Sequence, residues 1–375
     1  VLSRCVPIAL ALVLLVTAVA GAQTAPPEPR ATAYLLINPA TDEVLAAKAP
    51  DRAVPMASLT KMMTALVARD RTTLDEQVTV SEGAAIGGST AELVPGEAIS
   101  VENLMTGLLV ASGNDAAIAL AEHSADNEAR FVALMNRRAR SLGLDKTRFV
   151  NPHGLDEPGH VSSPRDLITL AEAALEDPLI ERTVAERRAS IPGPDGVGTR
   201  SFESKNLLLD IDDEADGVKT GMTDDAGYTI VAHATRPRIE TELYLAMIGS
   251  PGEQERAADA SALLDWGFAQ YSRPVLVAPG DELGEAEVIE RPGTEVGYAP
   301  AAALPATIRI GEPLTQTLVV PSRVAAPLEE GEEIGEVIYR QDGREVGRVP
   351  LVSTEAVDSP GIWDRVRGAW EQVIP

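Results

Sequence analysis

The sequence predicts an α+β fold: a mixed α and β domain, then a small all-β domain, then a C-terminal amphipathic helix. Three patterns predict it. Through residues 55–268, apolar side chains recur at steps of three and four and alternate with short β-rich runs. Past Tyr271 the helical spacing stops, and residues 272–355 carry regular Pro, Gly and Asp-Gly turns, which is how consecutive short strands read. At the end, Trp363, Val366, Trp370 and Val373 return to a three-and-four spacing. A length of 375 residues with 45% apolar side chains suits about two domains with tails.

Residues 1–22 read as an export signal. Arg4 supplies the positive start, Ile8 to Val16 the apolar middle, and Ala20-Gly21-Ala22 a small-residue cleavage site. The apolar run is short for a membrane span. Residues 23–30, with Pro26, Pro27 and Pro29, are a linker. The first domain is expected over 31–270. Ala33 to Ile37 and Glu43 to Ala46 are strands joined by the turn residues Asn38-Pro39-Ala40-Thr41-Asp42. A helix follows, with Met56, Leu59, Met63 and Leu66 on one apolar face. Residues 75–100 are loop and turn. Helical spacing resumes over Val101 to Val110, Asp115 to His123 and 126–142. Ser163, with Pro164 after it, starts another helix that runs to about Leu175. A polar stretch leads to Lys219, then Gly227 to Ala234 and Leu243 to Ile248 read as buried strands, and Ala257 to Phe268 as a closing helix. The all-β domain is expected over 271–357, with Asp342-Gly343 as a hairpin turn. Residues 358–375 form the amphipathic helix, and its two tryptophans suit a membrane interface.

Chemistry concentrates in three short motifs. Ser58 and Lys61 are three apart in the opening turns of a helix, so a hydroxyl and an amine can meet where free backbone N–H groups favour developing negative charge. That pairing makes a workable nucleophile and base. Ser112-Gly113-Asn114 sits in a short connection between two helices, and Lys219-Thr220-Gly221 precedes a strand pair. Each alone reads as a helix cap or surface turn. Together, S-x-x-K, S-x-N and K-T-G in this order mark the penicillin-recognising serine enzymes. With their flanks, Ser58-Leu59-Thr60-Lys61-Met62, Ser112-Gly113-Asn114-Asp115-Ala116 and Asp216-Gly217-Val218-Lys219-Thr220-Gly221, the chain resembles the low-molecular-weight penicillin-binding proteins that are serine-type D-Ala-D-Ala carboxypeptidases, over about residues 30–375.

The resemblance implies a β-lactamase/transpeptidase-like first domain, an antiparallel sheet with packed helices. It implies peptidoglycan stem peptides as substrates and β-lactam antibiotics as ligands. By the same resemblance, Ser58 attacks the bond between the two D-alanines and Lys61 takes its proton. Ser112 relays a proton to the leaving amine, and Asn114 offers its amide to the substrate. Lys219 and Thr220 hold the terminal carboxylate, Gly221 permits close approach, and Arg256, in the loop ahead of the last helix, assists. The backbone N–H groups of Ser58 and Met222 form the oxyanion hole. The resemblance also puts the exported body in the periplasm, attached to the inner membrane through the C-terminal helix.

Other readings are weaker. A serine β-lactamase shares the motifs, yet Glu203-Ser204-Lys205-Asn206, the nearest approach to E-x-x-L-N, lacks the leucine. A D,D-endopeptidase usually lacks the added domain, and a wall-binding scaffold has no need of Ser58, Lys61 and Lys219 together. His123, His153, His160 and His233 show no metal-ligand spacing, so no metal or cofactor is expected. The net charge of −25, or −26 once Arg4 leaves with the signal, argues against nucleic acid and fits a soluble surface in salty surroundings. Cys5 is the single cysteine and lies in the signal, which excludes a disulfide framework from the rest.

Overall fold

The computed structural model describes residues 9–16, 24–289, 291, 293–359 and 361. It divides into two compact units. One comprises Ala25–Pro237 and Thr241–Ala269; the other comprises Val1–Thr24, Arg238–Glu240 and Gln270–Pro375.

Strand β1 (Ala9–Val16) belongs to the second unit. The larger unit begins with the hairpin β2 (Ala33–Asn38) and β3 (Glu43–Lys48). A short turn of 3₁₀ helix, Ala57–Leu59, leads into α1 (Thr60–Arg69). Next come β4 (Gln77–Thr79), β5 (Ala98–Ser100), α2 (Val101–Leu109), α3 (Asn114–Ala125) and α4 (Glu128–Ser141). Helix α5 (Pro164–Leu175) starts as expected, with Ser163 Oγ accepting from Asp166 N. The stretch read as merely polar holds α6 (Pro178–Val184), the hairpin β6 (Arg188–Pro192) and β7 (Thr199–Glu203), and α7 (Leu208–Ile211). The chain of this unit ends with β8 (Ala215–Thr223), β9 (Gly227–Arg236), β10 (Thr241–Ser250) and α8 (Glu253–Phe268).

Five strands form one antiparallel sheet in the order β3-β2-β10-β9-β8. Alternation along the strands splits its side chains between two faces. Leu35, Val231, Tyr244, Ala246 and Ile248 join the main core with the helices α1 to α5. Leu36 and Leu243 point the other way, against α8, where Gly267 has no room for a side chain between them. Helix α1 differs from the expected one-sided pattern. Every residue from Thr60 to Ala68 is buried, Lys61 included, because α2, α3, α4 and α5 pack around it.

In the smaller unit, β11 (Tyr271–Ser272) pairs with β14 (Ile308–Arg309). The remaining strands are β12 (Gly284–Val288), β13 (Glu295–Pro300), β15 (Leu314–Pro321), β16 (Arg323–Val324), β17 (Glu333–Gln341) and β18 (Arg344–Ser353). With β1 they form a seven-stranded sheet in the order β1-β15-β17-β18-β13-β12-β16. Asp342 and Gly343 both take positive φ, 47° and 74°, as a tight two-residue hairpin turn requires. The apolar middle of the expected export signal is here an extended strand, with Ala9 opposite Pro321. A Leu- and Val-rich run satisfies a free sheet edge as readily as it forms a leader. The predicted helix over 358–375 lies outside the described residues except for 358, 359 and 361.

Candidate active site

Ser58 is positioned by its neighbours' backbone. Ala57 takes φ +50°, and its carbonyl accepts the Thr60 hydroxyl at 2.8 Å. Thr60 Oγ1 lies 2.7 Å from His160 Nε2, while Val150 N donates to His160 Nδ1 at 3.0 Å. The His160 proton is therefore on Nε2 and points at Thr60. Burial lowers His160 to about 4, with Asp156 opposing that shift and Lys61 adding to it, so the ring is neutral. Gly154 explains why the loop ahead of His160 can close on this turn. Its φ is +93°, and a Cβ there would lie 2.1 Å from the Ala57 carbonyl oxygen.

Lys61 has no exposed surface, and its Nζ lies among three oxygens. These are Ser58 Oγ at 2.9 Å, Asn114 Oδ1 at 2.7 Å and the His153 carbonyl at 2.6 Å. The orientation of Asn114 is fixed because its Nδ2 donates to the Gly87 carbonyl at 2.8 Å. Burial first, then the charges of Lys219 and Lys205, push Lys61 well below the usual lysine range, against a weaker pull from Asp115. A neutral amine has two N–H groups and one lone pair. Asn114 Oδ1 and the His153 carbonyl only accept, so they take both N–H groups. In the neutral amine, the lone pair is then left to face the Ser58 hydroxyl, 2.9 Å away.

Ser112 connects α2 to α3 in the left-handed region, φ +59°, and Asn114 is the first residue of α3. The loop opposite is stitched to this end of α3. Asn114 N donates to the Ser89 carbonyl, and the Asp115 carboxylate accepts from Thr90 Oγ1, Ala91 N and Leu93 N. Ser112 Oγ accepts from Lys219 Nζ at 3.0 Å, so the second and third motifs meet directly.

Lys219, Thr220 and Gly221 are buried residues of the edge strand β8, while the Met222 side chain is exposed. A Cβ on Gly221 would come within 2.7 Å of Ser58 N, so only glycine lets β8 run this close to Ser58. Burial, followed by the charges of Lys205 and Arg256, lowers Lys219 to about 7. Arg256 lies inside the first turn of α8, not in a loop ahead of it, because the helix begins at Glu253. Its charged residues Glu253 and Glu255 suit the N-terminal turn and hide the start from an apolar count. Arg256 Nη2 donates to the Lys205 carbonyl at 2.9 Å and lies 3.5 Å from Glu253.

Three participants escaped the sequence reading. The His153 carbonyl holds Lys61, and no side-chain pattern signals a carbonyl. His160 meets Thr60 next to the Ser58 turn. Lys205 reaches across to Ser89, with Nζ 2.7 Å from its Oγ, from a stretch without periodicity. Among the described residues no group of three or more His, Cys, Asp or Glu could hold a metal ion.

Comparison with known proteins places the chain in a family. Residues 20–250 match the family model described as D-alanyl-D-alanine carboxypeptidase, and residues 271–359 match that of the C-terminal domain of penicillin-binding protein 5. D-alanyl-D-alanine carboxypeptidase DacC of Escherichia coli K12 is 32% identical, across 96% of this chain and 91% of that protein. D-alanyl-D-alanine carboxypeptidase DacA of Haemophilus influenzae is 31% identical, across 93% of this chain and 90% of that protein. A crystal structure of penicillin-binding protein 5 from Haemophilus influenzae superposes with a TM-score of 0.64 at 30% identity, covering 90% of this chain and all (100%) of the other. The expected β-lactamase/transpeptidase-like fold followed by an all-β domain is therefore the fold of this chain.

Proposed function

The chain belongs to the D-alanyl-D-alanine carboxypeptidase family, and on that premise we propose how its residues remove the terminal D-alanine from peptidoglycan stem peptides. It is a serine-type enzyme, and β-lactams enter the same site. The observation that carries the assignment of roles is the surrounding of Lys61, where two acceptors leave the amine's lone pair to Ser58.

Ser58 Oγ attacks the carbonyl carbon between the two D-alanines while its proton passes to Lys61 Nζ. The carbonyl oxygen gains the negative charge and is held by the backbone N–H groups of Ser58 and Met222. The proton on Lys61 then reaches the leaving nitrogen by way of Ser112 Oγ. The C–N bond breaks, free D-alanine departs, and an ester joins Ser58 to the shortened peptide. Water, giving a proton to the again neutral Lys61, attacks that ester; the bond from the acyl carbon to Ser58 Oγ breaks, and Ser58 Oγ takes the proton back from Lys61 as the shortened peptide leaves. Lys219 and Thr220 hold the substrate's terminal carboxylate, with Arg256 adding positive charge behind them. Asn114 first orients Lys61, and sharing its amide with the substrate requires the Gly87 carbonyl to give way.

The test is release of free D-alanine from a synthetic peptide ending in D-Ala-D-Ala. The parent should release it and Ser58→Ala should not; equal release by both removes Ser58 from the role. The proposal also includes export through residues 1–22 and attachment to the periplasmic face of the inner membrane through residues 358–375. Support comes from the sequence patterns given above. The full chain should pellet with membranes and a chain lacking 360–375 should not. Pelleting that survives the deletion overturns the attachment.

A further inference from the structure

The geometry points to Lys205 as a further specificity-determining residue, one that leaves Ser89 to take the terminal carboxylate of the incoming substrate. The inference rests on the function proposed above. Lys205 sits between β7 and α7, and its side chain spans to the loop that carries Ser89. That bond joins a cation to a neutral hydroxyl. In a chain with 57 acidic and 32 basic side chains, Lys205 has no carboxylate partner among the described residues. Its backbone is fixed where the anion is to bind, because the Lys205 carbonyl accepts from Arg256 Nη2.

Lys205, Lys219 and Thr220 line one small cavity with Ser204 and Glu186. Glu186 is its one acidic side chain, against the two lysines and the Arg256 charge felt by Lys219. The charge of Lys205 also reaches Lys61 and Lys219, and it contributes to lowering both. A carboxylate arriving beside Lys219 thus meets a second ammonium on a long, flexible stem. Exchanging a hydroxyl for a carboxylate makes that hydrogen bond fully ionic and stronger.

Two thioester substrates test this, one ending in a free carboxylate and the other in its carboxamide. The reactive leaving group keeps the neutral member measurable. The parent should prefer the acid. Lys205→Met should lower the ratio of kcat/KM on the acid to kcat/KM on the amide by about tenfold or more, and Lys205→Arg should restore much of that ratio. A parent without acid preference overturns the carboxylate-holding role of Lys219 and Thr220 as well. A parent that prefers the acid, with Lys205→Met keeping the same preference, overturns the role of Lys205 alone. Equal losses on both substrates would mark Lys205 as a structural tie to Ser89 and likewise overturn it.

Discussion

On the helical wall of the cleft, each side chain of the predicted set is held by another part of the fold, whereas on the strand wall several donors stay open. Ser58 meets Lys61, Lys61 meets three oxygens, Ser112 meets Lys219, and Asn114 meets both Lys61 and Gly87. Across the cleft, Arg256 Nε, Thr229 Oγ1 and Asn206 Nδ2 are buried without a hydrogen-bond partner among the described residues. Proton transfer needs fixed geometry before the substrate arrives, so its groups are locked in advance. Anion binding needs donors not already spent on the protein. The two walls therefore call for different perturbations.

The largest effect should come from the locked side. Lys61→Met removes the lone pair and leaves no buried charge. Attachment of a fluorescent penicillin should slow by roughly 10²–10⁴-fold, the usual worth of a general base. A rate within about tenfold of the parent would show that the proton goes elsewhere. Next comes the tie that steadies the loop facing Ser112. Arg200 and Glu97 are buried and pair at 2.8 Å and 3.0 Å through both guanidinium nitrogens, and Arg200 also donates to the Glu92 and Pro192 carbonyls. Arg200→Met strands a buried carboxylate, and chemical denaturation should show a loss of about 3–5 kcal/mol. Adding Glu97→Gln should recover part of it. A single variant as stable as the parent would mean that the pair holds nothing.

The same contrast explains what could be read from the sequence. The three motifs were legible because each is a short local pattern, and their side chains meet in the fold; the strand pair β9 and β10 was legible because burial leaves long apolar runs. The hairpin of β6 and β7 was not. Of its strand residues only Ile191, Arg200 and Phe202 are buried, and one of those three is a cation whose partner, Glu97, is 103 residues away. Arg256 was identified but misplaced, since its helix opens with charged residues. The contribution of His153 is a carbonyl, which every residue has. Lys205 meets Ser89 from 116 residues away, and proximity across a fold is what a local pattern omits.

On the open side, titration gives a smaller effect. Lys219, lowered to about 7 by burial and then by Lys205 and Arg256, is charged below that pH and neutral above it. Only the charged form attracts a carboxylate, so KM for the D-Ala-D-Ala peptide should rise as pH climbs past about 7, by at most tenfold per unit. In Lys219→Arg, whose charge persists, that rise should vanish. A parent KM that stays flat from about pH 6 to 9 would remove Lys219 from carboxylate binding.

The smallest effect separates the sheet's structural charges from those of the cleft. His233 on β9 lies 3.3 Å from Asp216 and 3.1 Å from Glu242, with its ring 4.5 Å from that of Tyr244. Burial pulls its pKa down, but the two carboxylates outweigh burial and raise it above 6.5. A histidine raised on folding stabilises fully below its unfolded value, and that contribution fades as pH rises through the folded one. Lys61 and Lys219 work in the opposite sense. Their pKa values fall on folding, so each contribution to stability grows as pH rises from the lowered folded value, about 7 for Lys219, toward the unfolded lysine value. The whole protein's stability curve mixes the two trends, and only the gap between the parent and His233→Gln isolates the histidine. That gap should be about 1 kcal/mol or less below pH 6 and should close as pH rises through the raised folded value, above 6.5, with penicillin attachment unchanged. A gap constant across this range would mean that His233 carries no charge in the fold and that its two carboxylates pair elsewhere.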